Sequence, residues 1–371
     1  MCLLLSSCAL PRSTRPIVKI GLVAPFEGRY RALGYEALYA VKWVVRQRNM
    51  AGGVAGYMVE LVALDDGDDP VSSAFQAREF GVDVDVMGVV GPFSEAAIAA
   101  AAPVYGELGL AMVTPATCGP TVRSPRQGTG RGDGAAFCLG AGADALAQAL
   151  LDRLPPGAQV TLLEAPFAAG ALGECLRPAA QQRVGVWECG RPALSVAEGV
   201  GEGALARALK TSSPSDLYLY DGDVLAAAAA LVEMRDNGID APLWGGPALA
   251  RTQLPQIAGE AAAGACYAIT APLLADLAPE SAFVAGYREL ASTPPGPWAA
   301  LAYDATMLLL DALERSIQAD GKPSRQGTIA QLSDVRGPDG EPVFVQGRRR
   351  QAETIFYCYG PGDGYPGRKS D

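Results

Sequence analysis

Short apolar runs alternate with longer segments of helical periodicity along the first third of the chain. Residues 18–23 (VKIGLV) predict a β-strand, and residues 34–49 predict a helix because their apolar positions recur on one face. Gly52-Gly53 then ends that helix. Further strands are expected at 59–64, 86–90 and 110–113, with helices at 72–81 and 95–108. This alternation predicts right-handed βαβ crossovers and a parallel sheet that is covered on both faces.

The same alternation starts again after residues 120–134, whose Gly, Arg, Ser and Pro content predicts a loop. The second series comprises strands at 159–163, 185–188, 216–220 and 242–245, and helices at 143–154, 170–182, 203–209 and 224–238. A long helix at 299–319 and a strand-rich tail that includes 352–359 follow. The repeated architecture predicts an α/β fold of two doubly wound parallel-sheet lobes.

Two neighbouring strand ends of the first series lead into small hydroxyl residues. One apolar run breaks at Gly91-Pro92 and leads to Ser94. The next run breaks at Pro115 and leads to Thr117. Open α/β sheets bind ligands at such strand ends, because helix N-termini present free backbone N–H groups there. Since no catalytic residue type lies nearby, the pattern favours ligand capture over catalysis.

Composition narrows the classes of function further. The 371 residues are 49% hydrophobic and 19% charged, which indicates a globular chain long enough for two domains. A net charge of −10 argues against nucleic acid or an anionic membrane surface as a partner. The chain has no histidine, which excludes histidine-activated nucleophiles and the usual zinc sites. We therefore expect a protein that is not an enzyme and that uses no cofactor or metal.

The acidic run at residues 65–69 (DDGDD) lacks the spacing and terminal Glu of an EF-hand calcium loop. We interpret it as a solvated turn at a strand end.

The first nine residues resemble the end of a bacterial lipoprotein signal peptide. Leu5-Ser6-Ser7-Cys8 has the Leu-small-small-Cys pattern of a lipobox, but the apolar part before it is short and has no basic region. A truncated start and an accidental match would both explain this. We favour truncation, because residues 11–16 then form a polar tether to the first strand. On this interpretation the protein is extracytoplasmic, in the periplasm or at the cell surface, and is anchored by a lipid on Cys8.

Six further cysteines remain, at positions 118, 138, 175, 189, 266 and 358. An even number in an exported protein predicts disulfides, although six cysteines allow fifteen pairings and buried free thiols would suit a cytoplasmic chain. For an exported protein we expect nearest neighbours to pair: Cys118–Cys138, Cys175–Cys189 and Cys266–Cys358.

Taken together, several segments resemble the leucine/isoleucine/valine-binding proteins, which are substrate-binding components of bacterial ABC transporters with the type I periplasmic-binding fold. The segments are residues 20–28 (IGLVAPFEG), Asn49 with 52–56 (GGVAG), 60–62 (ELV), 65–70 (DDGDDP), 91–94 (GPFS), 114–117 (TPAT) and 300–305 (ALAYDA). The resemblance implies two lobes joined by a three-crossing hinge, with a ligand held between them. Lobe one would comprise 17–139 plus 270–345, and lobe two 140–269 plus 346–371, after a signal remnant and tether at 1–16. It also implies a monomer whose closed form is read by a membrane permease, and it supports pairing Cys266 with Cys358.

The resemblance also implies a set of ligand-binding residues. In the family, the strand ends that carry Ser94 and Ala116 hold the α-carboxylate of the ligand, and here Thr117 and Cys118 follow. Leu33 stands where the family often has an aromatic residue in the first loop, and Phe167 lies near the position of another. The acid that usually meets the ligand ammonium is missing from residues 245–248 (GGPA), which include Gly246.

Three acidic residues leave alternatives open. Glu95 could repel an anionic ligand head, or it could be a helix first-turn residue that the helix dipole favours and that points to solvent. Asp221 could replace the missing negative charge, whereas Asp223 is expected to cap the helix that follows it. Tyr30 and Arg31 are expected in solvent at the mouth of the cleft.

Both halves of the family's zwitterion clamp are thus altered, and the expected ligand is a small polar or cationic molecule. An amide, an amine or a modified amino acid would fit better than a branched-chain amino acid. A ligand-sensing domain of the same fold that signals to a partner, and a degenerate homologue that binds nothing, are the alternatives.

Overall fold

The computed structural model describes residues 15–119, 122, 134–164, 172–176, 194–195, 215–273, 278 and 280–370. The strands are β1 (Ile17–Ala24), β2 (Met58–Asp65), β3 (Val86–Val90), β4 (Ala111–Thr114), β5 (Ala136–Cys138), β6 (Val160–Glu164), β7 (Leu194–Ser195), β8 (Leu217–Asp221), β9 (Leu243–Gly245), β10 (Cys266–Thr270), β11 (Phe344–Val345), β12 (Arg348–Arg349), β13 (Thr354–Cys358) and β14 (Arg368–Ser370). The helices are α1 (Arg31–Met50), α2 (Pro70–Val82), α3 (Glu95–Glu107), α4 (Ala143–Asp152), α5 (Val224–Asp236), α6 (Gln253–Ala258), α7 (Ala282–Ala291), α8 (Pro297–Asp320) and α9 (Arg325–Ser333). Residues 172–176 are also helical.

The described strands form two sheets. The first has the order β11-β12-β5-β4-β3-β1-β2, and the second has the order β14-β13-β10-β9-β8-β6-β7. Strands β1 to β5 pair in parallel, as do β6 to β10, and antiparallel pairs occur only toward the β11 and β14 edges of the described sheets. The central strands β3 and β4 are buried along their whole length, as expected where helices cover both faces. The predicted α/β fold of two doubly wound lobes is confirmed.

In the described part of the chain, three passages connect the two sheets, after β5, after β10 and after β12. The passages lie side by side and are joined by hydrogen bonds. Ala141 N–H donates to Thr270 Oγ1 at 2.6 Å, which joins the first passage to the second. Ala271 N–H donates to Glu353 O at 2.7 Å, which joins the second passage to the third. These bonds connect the three passages into one hinge region.

Sheet membership differs from the predicted lobe boundaries at two places. Thr270 is the last residue of β10 in the second sheet, and β12 belongs to the first sheet, where Arg348 pairs with Cys138. The expected boundary at residue 346 falls inside a hairpin. Gln346 and Gly347, with φ of 50° and 70°, form a tight two-residue turn between β11 and β12. Such a turn keeps both strands in one sheet.

Two of the three predicted disulfides are present. Cys118 is bonded to Cys138, and Cys266 to Cys358, which lie opposite each other in the β10–β13 ladder. Cys175 forms no disulfide within the described part of the chain, and its predicted partner Cys189 lies outside that part. The predicted strand at 185–188, the predicted helix at 203–209 and the lipid-anchor candidate Cys8 also lie outside it.

Across the part of the chain that the structure covers, no helix combines the length and the apolar composition that a membrane span requires.

Candidate ligand-binding site

A cavity of about 140 Å³ lies between the two sheets. The first sheet contributes the segments that follow β3 and β4, together with the start of α8. The second sheet contributes the segments that follow β8 and β9, together with the start of α4. Because a single water molecule needs about 10–15 Å³ on the same measure, the cavity has room for a small organic molecule.

The first-sheet wall is held by hydroxyl groups at the two strand ends. Thr114 Oγ1 donates to Pro92 O at 2.6 Å and accepts from Ala116 N–H at 3.0 Å, which ties the β3 end to the β4 end. Ser94 is the N-cap of α3, and its side chain accepts from Ala97 N–H at 3.4 Å. Thr117 Oγ1 donates to Ala141 O at 2.8 Å, which connects this wall to the first passage of the hinge.

The second-sheet wall carries two aspartates with different surroundings. Asp223 caps α5 by accepting from Leu225 N–H at 2.8 Å and from Ala226 N–H at 3.0 Å, which confirms its predicted role. Asp221 lines the cavity, is buried, and accepts from Gly173 N–H at 2.8 Å. The Asp221 carboxylate therefore supports the helical segment 172–176 and also stands at the cavity wall.

The structure brings together six of the predicted ligand-binding residues. The cavity is lined by Ser94, Glu95, Ala116, Thr117, Asp221 and Gly246, among others. Leu33 lies in the first turn of α1 and is buried in the core of the first lobe, where it does not line the cavity. Cys118 is buried in its disulfide and is not a lining residue, and Phe167 lies outside the described residues. The Glu95 carboxylate lies against Gly119, where a Cβ would stand 2.4 Å from Oε1.

Two large residues at the cavity were not predicted from the sequence. Trp298 lines it from the start of α8, and its Nε1–H donates to Ala250 O at 2.7 Å across the two lobes. Arg251 lines it from the second lobe, with a side chain only 7% exposed. The guanidinium carbon lies 5.2 Å from the ring centre of Tyr30 and 5.8 Å from that of Trp298. One signal could have identified Arg251: it is the only charged residue between positions 241 and 259.

The acidic run at the end of β2 forms a turn, but the expectation that it is solvated holds only for the exposed Asp69 and was wrong for Asp66 and Asp68. Asp66 is 1% exposed and accepts from Ser73 Oγ–H at 2.6 Å, and burial raises the pKa of its carboxyl. Asp69 caps α2 by accepting from Ser72 N–H at 2.8 Å. Asp68 has a φ of 62° and a side chain 10% exposed, and its Oδ2 lies 3.6 Å from Arg251 Nη2. The run therefore builds the β2–α2 turn and directs one carboxylate toward the second lobe.

Tyr30 also differs from the expectation of a solvated residue. Its ring is half-buried against Arg251, and burial raises the pKa of its hydroxyl, whereas Arg31 is exposed as expected.

A buried carboxylate supports the helix that carries Trp298. Glu36, on α1, accepts from Ala299 N–H at 3.0 Å and from the Tyr365 hydroxyl at 3.0 Å. The Glu36 carboxylate thus caps the N-terminus of α8, because the N-cap residue of that helix is Gly296, which has no side chain to accept a hydrogen bond. Burial raises the pKa of the Glu36 carboxyl to about 7. No group of three or more His, Cys, Asp or Glu side chains in the described ranges is arranged to hold a metal ion.

Comparison with known proteins places this architecture in a family. A family model described as periplasmic binding protein matches residues 17–359. The leucine-, isoleucine-, valine-, threonine- and alanine-binding protein of Pseudomonas aeruginosa is 24% identical over 338 residues, which are 88% of this chain and 85% of that protein. A Leu/Ile/Val-binding protein homologue of Brucella abortus is 32% identical over 104 residues, which are 28% of each chain. That match therefore spans less than a third of the Brucella protein.

A solved structure shares the fold of this chain. The leucine-binding protein of Thermotoga maritima superposes with a TM-score of 0.76 at 21% identity, covering 96% of this chain and 98% of that one. At this identity the likeness shows the fold alone. The three relatives are named as binding proteins and not as enzymes. This chain belongs to the periplasmic binding protein family, whose members are extracytoplasmic proteins that bind small molecules.

Proposed function

We propose that this chain is the extracytoplasmic solute-binding component of an ABC transporter, which captures a small polar ligand between its lobes by closure of the hinge. The observation that carries the proposal is the cavity lined by both sheets at the carboxyl ends of their strands. A ligand that touches both lobes only in the closed form shifts the open–closed equilibrium by its difference in affinity. A membrane permease would then recognise the closed form.

On this proposal, the ligand is an amino-acid-like molecule, an amide or an amine. Ser94, Ala116 and Thr117 form the wall next to the start of α3, where hydroxyl and backbone N–H groups suit a carboxylate or a carbonyl oxygen. Asp221 supplies a carboxylate on the opposite wall, which suits an ammonium or amide N–H. The amino acids named for the relatives support the same class of ligand.

Export and lipid attachment at Cys8 are part of the same proposal. The two disulfides support an oxidising compartment, where such bonds persist. When the sequence is expressed in a bacterial host behind a complete basic and apolar signal region, the protein should enter the detergent phase after Triton X-114 partition, and Cys8→Ser should move it to the aqueous phase. An unchanged distribution of Cys8→Ser would contradict the anchor and would leave ligand capture unaffected.

A thermal-shift screen of the purified protein tests ligand capture. The panel contains amino acids, their amides and polyamines, and a ligand that binds only the folded form must raise the melting temperature. Asp221→Asn should weaken binding of a ligand that donates an ammonium or amide N–H, whereas Asp236→Asn, at the exposed end of α5, should not. Closure of the lobes around a ligand should also reduce the radius of gyration that solution scattering measures. The proposal fails if every compound of the panel leaves both the melting temperature and the radius of gyration unchanged.

A further inference from the structure

The guanidinium of Arg251 is buried beside the cavity without the partners that such a group requires. A guanidinium has five N–H donors, and its burial is costly unless they are matched. Nη1 of Arg251 is buried with no hydrogen-bond partner in the described structure. Among the residues that the structure describes, the carboxylate within ion-pair distance is that of Asp68, at 3.6 Å from Nη2, which exceeds a hydrogen-bond distance.

Asp68 offers an opposite charge but no hydrogen bond to this cation, and its own carboxylate is also incompletely bonded. Asp68 Oδ1 is buried and lacks a hydrogen-bond partner among the described residues. The two charges face each other from different lobes, since Asp68 follows β2 of the first sheet and Arg251 follows β9 of the second. Unmatched buried polar groups in a folded protein call for a specific explanation, and a binding cavity supplies one.

The surroundings hold the guanidinium in place at the cavity. The aromatic faces of Tyr30 and Trp298 lie within 6 Å of its carbon, a distance at which ring quadrupoles attract a cation. Trp298 is itself fixed by its bond to Ala250 O, next to Arg251 in the chain. The cation is thus positioned before any ligand arrives, which reduces the entropy lost when an anion binds.

We propose that Arg251 is a specificity-determining residue that binds a second carboxylate of the ligand, so that the captured solute is a small diacid. This inference rests on the proposed function and narrows the class of ligand. One carboxylate lies at the wall of Ser94, Ala116 and Thr117, and the other pairs with the Arg251 fork, which matches the planar carboxylate with two parallel bonds. A ligand whose only charges are positive would face the guanidinium and is disfavoured.

Asp221 decides whether the diacid carries an amino group. Its carboxylate lines the same cavity and can accept an ammonium, which would select an acidic amino acid over a plain dicarboxylate. Comparison of L-glutamate with glutarate separates these two cases, and both contain the carboxylate pair that the proposal requires.

Isothermal titration of the purified protein against pairs of diacids and their monoamides tests the inference. The pairs are L-glutamate with L-glutamine, L-aspartate with L-asparagine, and glutarate with glutaramate, with L-leucine added as a neutral amino acid. We expect at least one diacid to bind about tenfold or more tightly than its monoamide, because the charged guanidinium then pairs with a carboxylate and not with a neutral amide. Arg251→Gln should remove this preference by weakening the diacid far more than the monoamide.

Two further variants separate recognition from structural support. Arg46→Gln removes an exposed arginine of the first lobe, 3.7 Å from Glu289, and should leave the preference intact. Asp68→Asn removes the competing carboxylate and keeps Arg251, so it should strengthen diacid binding several-fold even if Arg251→Gln does not fold.

The possible results distinguish this inference from the proposed function. Tight binding of a monoamide or of leucine without a preference for the diacid would overturn the inference and leave solute capture standing. Equal losses for diacid and monoamide in Arg251→Gln would also overturn it, since Arg251 would then support the fold only. If no compound of this panel binds but another compound of the thermal-shift screen does, the inference fails and solute capture stands. If no compound of either panel binds, both fail.

Discussion

At the scale of single residues, the candidate binding site depends on one position where no side chain fits. Gly140 begins the first passage between the lobes and lies against the backbone of the β4 end. A Cβ at this position would stand 2.4 Å from both Ala116 C and Thr117 N, and the neighbouring atoms are backbone, which cannot move aside as a side chain can. Gly140 N–H also donates to Ala116 O at 3.2 Å. The hinge and the predicted carboxylate wall are therefore in direct contact.

Gly140→Ala should displace the Ala116–Thr117 segment or destabilise the fold. We expect a loss of about 2 kcal/mol or more in the free energy of unfolding, as for other steric changes in well-packed regions. Urea denaturation gives this value, and ligand titration gives the accompanying loss of affinity. Gly364→Ala is the matched control, because a Cβ there meets nothing within 4 Å. Equal stabilities of the two variants would contradict the steric argument.

Glu36 predicts a specific dependence of stability on pH. Its pKa rises from an ordinary 4.5 to about 7 in the folded protein because the carboxyl is buried. The folded state therefore holds a proton that the unfolded state releases between these values, so stability falls as the pH rises from about 4.5 to 7. A shift of this size corresponds to a change on the order of 3 kcal/mol.

Glu36→Gln should flatten that fall and make the protein more stable than wild type at pH 8, because a neutral amide has no charge to desolvate. Unfolding free energies from urea titrations at several pH values check this. Glu79→Gln, an exposed position on α2, should keep the wild-type dependence. Parallel pH profiles for wild type and Glu36→Gln would show that another group causes the slope.

At the scale of elements, long periodic segments were predicted well and very short ones were not. The helix expected at 299–319 is α8, Pro297–Asp320, and the strand expected at 86–90 is β3. Strands β11 and β12 have two residues each, so their sequences carry no periodic signal. They exist because a tight turn joins them and β5 offers an edge for pairing, which only the folded chain provides.

The same contrast applies to the site. Ser94, Ala116 and Thr117 could be predicted because they follow strands whose apolar runs are visible in the sequence. Arg251 and Trp298 could not, because they meet only after residues distant in the chain come together. Leu33 was placed by resemblance alone, and the helical periodicity of α1 instead directs it into the core.

The cap of α5 gives a prediction at this scale. Asp223→Ala removes the carboxylate that accepts from two backbone N–H groups, and the expected loss of stability is about 1 kcal/mol. Asp236→Ala, in the last turn of the same helix, should be neutral or slightly stabilising because an acidic residue there opposes the helix dipole. Thermal denaturation of both variants checks this, and a neutral Asp223→Ala would show that the cap is dispensable.

At the scale of the whole molecule, the two disulfides constrain very different lengths of chain. Cys118–Cys138 closes a separation of 20 residues, and Cys266–Cys358 closes one of 92. In the chain-entropy account, the longer loop gives the larger stabilisation, by about 1 kcal/mol.

The double variant Cys266→Ser/Cys358→Ser should therefore lose more stability than Cys118→Ser/Cys138→Ser, each within roughly 2–5 kcal/mol. Denaturant unfolding of the two double variants, compared with the wild-type protein, measures the two losses of stability. The wild-type protein is also unfolded under oxidising and under reducing conditions. The variant at Cys118 and Cys138 should in addition weaken ligand binding, because Cys118 follows Thr117 at the cavity. A larger loss of stability from the shorter loop would contradict the entropic account.

Because the chain passes between the sheets three times, neither sheet can receive all its strands until late in synthesis. Each lobe is built from segments far apart in the sequence, and the β10 edge of the second sheet is covered only by β13 and β14. Once β10 has left the ribosomal exit tunnel, and until β13 follows it, a row of backbone donors and acceptors along β10 remains unpaired. This interval exposes β10 to edge-to-edge aggregation, and it ends only when residues 354–358 leave the exit tunnel.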